Sequence, residues 1–278
     1  MNHIDAHSHV WTPDTARYPL APGWRRLNMA PASFTADELM QHARPAGVSR
    51  VVLIQMSFYG HDNSYMLDMI RTHPDTFSGV AVIDQDGRRP DLEMRKLKPL
   101  GVRGFRIYAK NQPVANWLAS DAMHRMWATG AHERLAMCCL IDAAELPALD
   151  RMCQNFPETP VVIDHLCRIG AAGPITSEAV KSLCDMAKHA QVFVKVSAFY
   201  ALGRKQPPYR DLVPLIRQVY DAFGPQRLMW ASDCPFQVEG GHTYQGSIDV
   251  VKSGLDFFSA EDKEWLLRKT AEEVFFRG

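Results

Sequence analysis

The sequence predicts a (β/α)8 barrel, an α/β fold in which eight parallel strands alternate with helices. Eight apolar runs of strand length recur along the 278 residues, and helical patterns separate nearly all of them. A run such as residues 50–56 is almost continuously apolar, as expected for a strand buried on both faces of a parallel sheet. A doubly wound open sheet would need a glycine-rich turn after its first strand, where this chain has histidines and prolines.

Local signals give the elements in order. Strands are expected at residues 3–9, 50–56, 79–83, 101–107, 135–141, 160–165, 192–197 and 227–233. Helices are expected at residues 35–47, 64–71, 91–97, 119–133, 144–155, 177–189, 209–223 and 259–276. Ser33 or Thr35 is expected to cap the first helix, and Ser259 with Asp262 resembles a capping box at the start of the last. Prolines at 13, 19, 22 and 31 predict an irregular loop after the first strand.

The composition predicts a globular chain that forms one domain over residues 1–278. Hydrophobic residues make up 46% and charged residues 22%, and 31 basic residues balance 31 acidic ones. A neutral chain has no global field to attract nucleic acid or an anionic membrane, and no apolar run approaches the roughly 18 residues of a membrane helix. The six cysteines form no C-x-x-C pair, which indicates reduced thiols and a cytoplasmic location. We therefore expect a small-molecule partner, no nucleic acid and no membrane, with the oligomeric state left open.

Polar residues follow the strands at the end where (β/α)8 barrels place their active sites. His7 and His9 follow the first strand, and their spacing makes both side chains point the same way from an extended backbone. His165 follows the sixth strand and Asp233 the eighth. Three imidazoles and one carboxylate at the ends of strands one, six and eight predict a site for a divalent ion.

Asp233 and His165 are also the candidate catalytic residues. A carboxylate beside a metal or an imidazole can take a proton from water and pass it to a leaving group. His165 would either ligate the metal or polarise a substrate carbonyl. Arg106 carries a fork of donors that suits a substrate carboxylate, and a structural ion pair is its alternative role. Ser57 and Tyr108 follow the second and fourth strands and are further candidate substrate contacts.

Four motifs together resemble the amidohydrolase superfamily, and most closely its amidohydrolase-related (family 2) branch, which contains lactonases. The motifs are Asp5-Ala-His7-Ser-His9, Asp164-His165-Leu-Cys-Arg168, Lys195-Val-Ser197 and Trp230-Ala-Ser-Asp233-Cys-Pro235. The stretches at residues 55–64 and 101–106 agree with that branch, so the resemblance extends over essentially the whole chain. It implies hydrolysis of a cyclic ester, with the two N-terminal histidines at the metal position and Asp233 as general base and acid.

The resemblance also implies substrate contacts from four side chains, which are Tyr59, Asn63, Arg106 and Arg168. Packing within the loop is the alternative role for the first two. Binuclear relatives carry a bridging lysine or glutamate at the end of strand four, and many mononuclear relatives carry a metal-binding histidine at strand five. This chain has Arg106 and Tyr108 at the first position and Cys138-Cys139 near the second. The resemblance therefore implies one divalent ion at most, zinc or manganese, and leaves a metal-free site open. We expect Lys195 to form a salt bridge inside the barrel.

Lactone hydrolysis is thus the first function hypothesis. The second is a metal-dependent decarboxylase of an aromatic or dienoic acid, which would be expected to use the strand-five histidine that this chain lacks. A metal-dependent nuclease of the related barrel type is disfavoured by the neutral charge and by the lack of a strand-four glutamate. A non-catalytic binding protein would use polar strand ends for packing, and here they are too numerous for that role.

Overall fold

Eight parallel strands form one sheet in which each strand pairs with the next along the chain. This computed structural model describes residues 2–109 and 113–277. Within those residues the strands are β1 (His3–Ser8), β2 (Val48–Ile54), β3 (Phe77–Ala81), β4 (Val102–Tyr108), β5 (Ala136–Leu140), β6 (Val161–Ile163), β7 (Val192–Val196) and β8 (Leu228–Trp230). The predicted (β/α)8 barrel is confirmed.

Backbone contacts at the carboxyl ends of β1 and β8 close the barrel. The N–H of Asp233 donates to the carbonyl of His7 at 2.8 Å, and the N–H of His9 donates to the carbonyl of Cys234 at 2.8 Å. Ser8 and Cys234 form a parallel bridge between the same segments. These contacts bring the first and last strand ends together, so residues from opposite ends of the sequence become neighbours.

Helices surround the sheet and bury their apolar faces against it. They are α1 (Ala36–Ala43), α2 (Ser64–Thr72), α3 (Pro90–Leu97), α4 (Asp121–Glu133), α5 (Leu146–Asn155), α6 (Ser177–Asp185), α7 (Val213–Phe223), α8 (Tyr244–Asp249), α9 (Ala260–Glu264) and α10 (Thr270–Phe275). Leu39 of α1, Leu149 of α5 and Ile216 of α7 are fully buried in the shared core. No helix in the described part of the chain is long and apolar enough to cross a membrane.

The caps predicted for the first and last helices are confirmed. Thr35, rather than Ser33, caps α1, and Glu38 completes a capping box with it. Ser259 and Asp262 form the capping box that begins α9. Such boxes satisfy backbone N–H groups that have no partner inside the helix.

The helix predicted over residues 259–276 is continuous, with a π-helical turn at Trp265–Lys269 that joins α9 to α10. Two other helices differ more from the predictions. The helix expected from residue 209 begins at Val213, because Tyr209 has a left-handed backbone (φ 60°) and a 3₁₀ turn intervenes. Helix α8 was not predicted. It continues as a π-helical turn from Val250 to Gly254, and it follows Gly240 and Gly241, which indicate a loop.

Candidate active site

The carboxyl ends of β1, β6 and β8 bring together the four predicted metal-site residues. Nε2 of His7 lies 3.3 Å from Nε2 of His9 and 3.5 Å from Oδ1 of Asp233. Nε2 of His165 lies 3.8 Å from Oδ2 of the same carboxylate. All four side chains are buried at the mouth of the barrel. Three imidazoles and one carboxylate therefore meet, as their places in the predicted strand order imply.

The backbone after β6 and β8 adopts left-handed conformations that the sequence does not predict. His165, Leu166, Cys167 and Arg168 all have positive φ, between 49° and 55°, and Asp233 has φ 63°. A left-handed conformation costs an L-residue on the order of 1–2 kcal/mol, so surrounding contacts must over-determine it. These four consecutive residues form one short turn at the site, and no sequence pattern predicts it.

Neighbouring groups orient two of the imidazoles. Nδ1–H of His9 donates to the carbonyl of Ile54 at 2.9 Å, which leaves Nε2 facing Asp233. Nδ1 of His165 lies 2.9 Å from Oγ of Ser197, the polar residue after β7. Burial lowers the pKa of His165 to about 4, so this imidazole is neutral at physiological pH.

A buried ion cluster lies directly below His7. Oδ1 of Asp164 is 3.0 Å from Nζ of Lys195, and Oδ2 is 3.2 Å from Nη1 of Arg106. Burial alone would raise the pKa of Asp164, but the two cations outweigh it and hold that pKa well below its ordinary value. Nζ of Lys195 also lies 3.1 Å from Nδ1 of His7. The predicted salt bridge of Lys195 inside the barrel is confirmed.

His7 is a neutral imidazole between two cations. Lys195 approaches its Nδ1, and Nη1 of Arg106 lies 3.3 Å from its Nε2. Burial and the charge of Lys195 hold the pKa of His7 well below its ordinary value. A neutral ring has one nitrogen lone pair, which metal ligation requires, and one N–H, which carbonyl polarisation requires.

Asp233 is held as a carboxylate. Burial alone would raise the pKa of Asp233, but the facing imidazoles of His165 and His9 outweigh it and lower that pKa. The hydroxyl of Tyr200 donates to Oδ2 of the carboxylate at 2.7 Å. An ionised carboxylate at the base of a cavity can accept a proton from a bound molecule, although its lowered pKa makes it a weaker base than a free carboxylate.

A cavity of about 430 Å³ opens onto this group. Four of the predicted substrate contacts line it, namely Ser57, Arg106, Tyr108 and Arg168. Tyr200 and Lys205 line it as well, although no motif pointed to them. A larger cavity of about 520 Å³ lies at the amino ends of β3 and β4 and is mainly apolar. We place the chemistry in the first cavity because the ionisable groups converge there.

The two arginines that line the cavity have different surroundings. Arg106 is buried and uses Nη1 for both Asp164 and His7, whereas its Nε has no hydrogen-bond partner among the described residues. Arg168 is partly exposed at the rim, with Nη1 3.4 Å from Oδ1 of Asp142. Arg106 therefore has the structural ion pair that was its alternative role, and its side chain also lines the cavity.

Tyr59 and Asn63 lie outside the lining of this cavity. Nδ2 of Asn63 donates to the carbonyl of Val82 at 2.9 Å, and its Oδ1 accepts from the N–H of Val82 at 3.1 Å. The hydroxyl of Tyr59 accepts from the N–H of Thr12 at 3.2 Å. Their alternative role in loop packing accounts for both side chains, so we leave them out of the proposed site.

Three of the predicted ligands fit a single divalent ion. His7, His165 and Asp233 each present one ligand atom, and these atoms all lie within 4.8 Å of one another. His9 flanks the group. Two imidazoles and a carboxylate suit zinc, and manganese accepts the same donor types. Arg106 would have to release Nε2 of His7, because a metal and a hydrogen-bond donor compete for the same lone pair.

The sequence model of a family described as amidohydrolase matches residues 4–277. The chain belongs to the amidohydrolase family. This match includes residues of all eight strands of the barrel and every residue of the candidate site. The family resemblance carried by the four motifs is therefore confirmed.

Two curated proteins and one solved structure show what this amidohydrolase is similar to. It is 30% identical to a 4-sulfomuconolactone hydrolase of Rhizobium radiobacter, over 83% of this chain and 75% of that protein. It is 29% identical to a 2-pyrone-4,6-dicarboxylate hydrolase of Comamonas testosteroni, over 84% of this chain and 76% of that protein. The crystal structure of an amidohydrolase from Burkholderia multivorans with bound zinc has a TM-score of 0.83 over the whole of both chains, at 18% identity. The last similarity shows the shared fold.

Proposed function

We propose that this amidohydrolase hydrolyses a lactone, a small cyclic ester that is carboxylated or derived from a sugar. The observation that carries the proposal is the buried, ionised carboxylate of Asp233 among three imidazoles at the base of a cavity. The two curated relatives are named as hydrolases, one of a sulfonated lactone and one of a pyrone dicarboxylate, which supports the same class of substrate. We also propose that residues 1–278 act as one catalytic domain in the cytoplasm.

The chain's own groups can carry out each proton transfer of this reaction. Asp233 takes a proton from a water molecule as that water adds to the lactone carbonyl. His7, His9 or His165 polarises the carbonyl and stabilises the negative charge that develops on its oxygen. The ester C–O bond then breaks, and Asp233 returns the proton to the leaving oxygen. The product is an open-chain hydroxy acid, whose new carboxylic acid group then releases its proton to the solvent.

We propose that His7, His165 and Asp233, flanked by His9, hold one divalent ion, with zinc first and manganese second. When bound, such an ion supplies Lewis acidity toward the carbonyl or toward water. Metal analysis of the purified protein, with activity assayed before and after chelation, tests this assignment. We expect one ion per chain and loss of activity on its removal. Full activity of metal-free protein would contradict the assignment. It would favour a metal-free site in which Arg106 keeps its contact with Nε2 of His7.

We propose that Arg106 binds a carboxylate of the substrate, and Arg106→Lys tests this contact. Lysine keeps a positive charge for Asp164 but removes the planar fork that grips a carboxylate. We expect the KM for a carboxylated lactone to rise about 10-fold, the size of one charge-assisted hydrogen bond. The matched control is the same lactone without its carboxylate, for which the KM should not change. An equal rise for both substrates would contradict the contact.

A panel of lactones tests the reaction itself. Ring opening creates a carboxylic acid and releases a proton, so a weakly buffered indicator assay detects it directly. The panel should pair carboxylated lactones with uncarboxylated analogues and include sugar lactones. We expect proton release, with the carboxylated or sugar-derived members preferred. Release of carbon dioxide from aromatic or dienoic acids, without lactone turnover, would overturn the proposal in favour of the decarboxylase.

A further inference from the structure

The turn after β7 places a tyrosine hydroxyl on the carboxylate of Asp233. Tyr200 lies in the 3₁₀ turn Phe199–Ala201, which begins after Ala198 in a left-handed conformation (φ 56°). Its hydroxyl donates to Oδ2 of Asp233 at 2.7 Å. An ionised carboxylate has no proton to give, so the phenol is the donor in this hydrogen bond.

Aromatic packing fixes the position of that hydroxyl. The ring of Tyr200 lies 6.2 Å from the ring of Phe236 and 6.2 Å from the ring of His242, measured between centroids. Phe236 in turn packs against His9 at 5.8 Å. A tyrosine has only two side-chain torsions, so contacts on its ring leave its hydroxyl little freedom.

The two oxygens of Asp233 therefore have different neighbours. Oδ2 accepts from Tyr200 and lies 3.8 Å from Nε2 of His165. Oδ1 lies 3.4 Å from Nε2 of His9 and 3.5 Å from Nε2 of His7. A hydrogen bond from a neutral phenol makes Oδ2 the weaker base, because it stabilises the negative charge on that oxygen.

We propose that Tyr200 is a positioning residue that sets which carboxylate oxygen acts as the base. By occupying Oδ2 it fixes the plane of the carboxylate and leaves Oδ1, on the side of His7 and His9, to take the proton. The water oxygen then bonds to the lactone carbonyl carbon. Oδ1 returns the same proton to the ester oxygen as the C–O bond breaks. This inference rests on the proposed lactone hydrolysis.

Tyr200→Phe tests the inference, because it removes the hydroxyl and keeps the ring between Phe236 and His242. We expect kcat to fall about 10- to 100-fold, the size of a hydrogen bond to a charged group, while KM stays within about twofold. The matched control is Tyr220→Phe. Its hydroxyl also donates to an aspartate, Oδ2 of Asp262 at 3.1 Å, but this pair joins α7 to α9 away from the cavity. Its kcat should stay within about twofold of the wild type.

A double-mutant cycle separates positioning from general packing. If Tyr200 acts through the carboxylate, Tyr200→Phe should change the residual kcat of Asp233→Asn by less than about twofold. An equal loss of kcat from Tyr200→Phe in the wild type and in Asp233→Asn would overturn the inference. An unchanged kcat in the Tyr200→Phe single variant, or a parallel change of its kcat and KM, would also overturn it. Wild-type protein that hydrolyses no lactone would instead overturn the proposed function, so the two failures are distinguishable.

Discussion

Asp233→Asn lowers kcat for lactone hydrolysis by about 10²- to 10⁴-fold, the usual contribution of a general acid–base residue. The amide has nearly the same shape as the carboxylate but cannot take a proton from water. Because the pKa of Asp233 is lowered, the wild-type carboxylate is ionised at neutral pH. Steady-state kinetics of the purified variant, with a thermal unfolding curve to verify its fold, measure this effect.

Asp84→Asn is the matched control for this substitution. Asp84 follows β3 at the same end of the barrel, but its side chain is exposed and accepts a hydrogen bond from the N–H of Asp86. Its kcat should stay within about twofold of the wild type, as for most surface substitutions. A wild-type kcat in Asp233→Asn would contradict the assignment of Asp233 as the general base.

Asp164→Asn destabilises the fold by about 3–5 kcal/mol, the cost of breaking a buried ion pair by removing one partner. Asp164 and Lys195 are fully buried, and Arg106 is nearly so. The substitution leaves two buried cations without their shared counter-charge. The free energy of unfolding, taken from urea titrations of the variant and the wild type, measures the loss.

The same buried ion cluster predicts how the losses in unfolding free energy rank among several variants. Lys195→Met should cost less than Asp164→Asn, because Asp164 would still pair with Arg106. The double variant should be destabilised by less than the sum of the two, since neither isolated charge of that pair remains. Asp221→Asn, which breaks the exposed pair with Arg217, should change the unfolding free energy by less than about 1 kcal/mol. Equal losses in Asp164→Asn and Asp221→Asn would contradict the buried cluster.

The regular alternation of strands and helices in the sequence made the central residues of the site predictable. In a parallel barrel every carboxyl end lies on one face, so a correct strand order was enough to bring His7, His165 and Asp233 together. The order could be read because each strand is a short apolar run between helical patterns. The helix boundaries were less accurate where the backbone leaves common conformations, as at Tyr209.

Contacts that depend on loop conformation could not be predicted. Tyr59 and Asn63 follow β2 in sequence, but the loop turns their polar atoms to backbone groups of Thr12 and Val82. Tyr200 reaches Asp233 only because Ala198 turns the chain in the left-handed region. Alanine gives no signal for that conformation, whereas glycine or asparagine would have done so.

Hydrolysis in ¹⁸O-labelled water, followed by mass spectrometry of the product, tests the account most directly. If Asp233 activates a water molecule that adds to the lactone carbonyl, a single turnover places one ¹⁸O in the new carboxylate and none in the new hydroxyl. Label in the hydroxyl would show that the other C–O bond breaks. Carbon dioxide without a hydroxy acid would show a decarboxylase, and either result would contradict the mechanism built on this site.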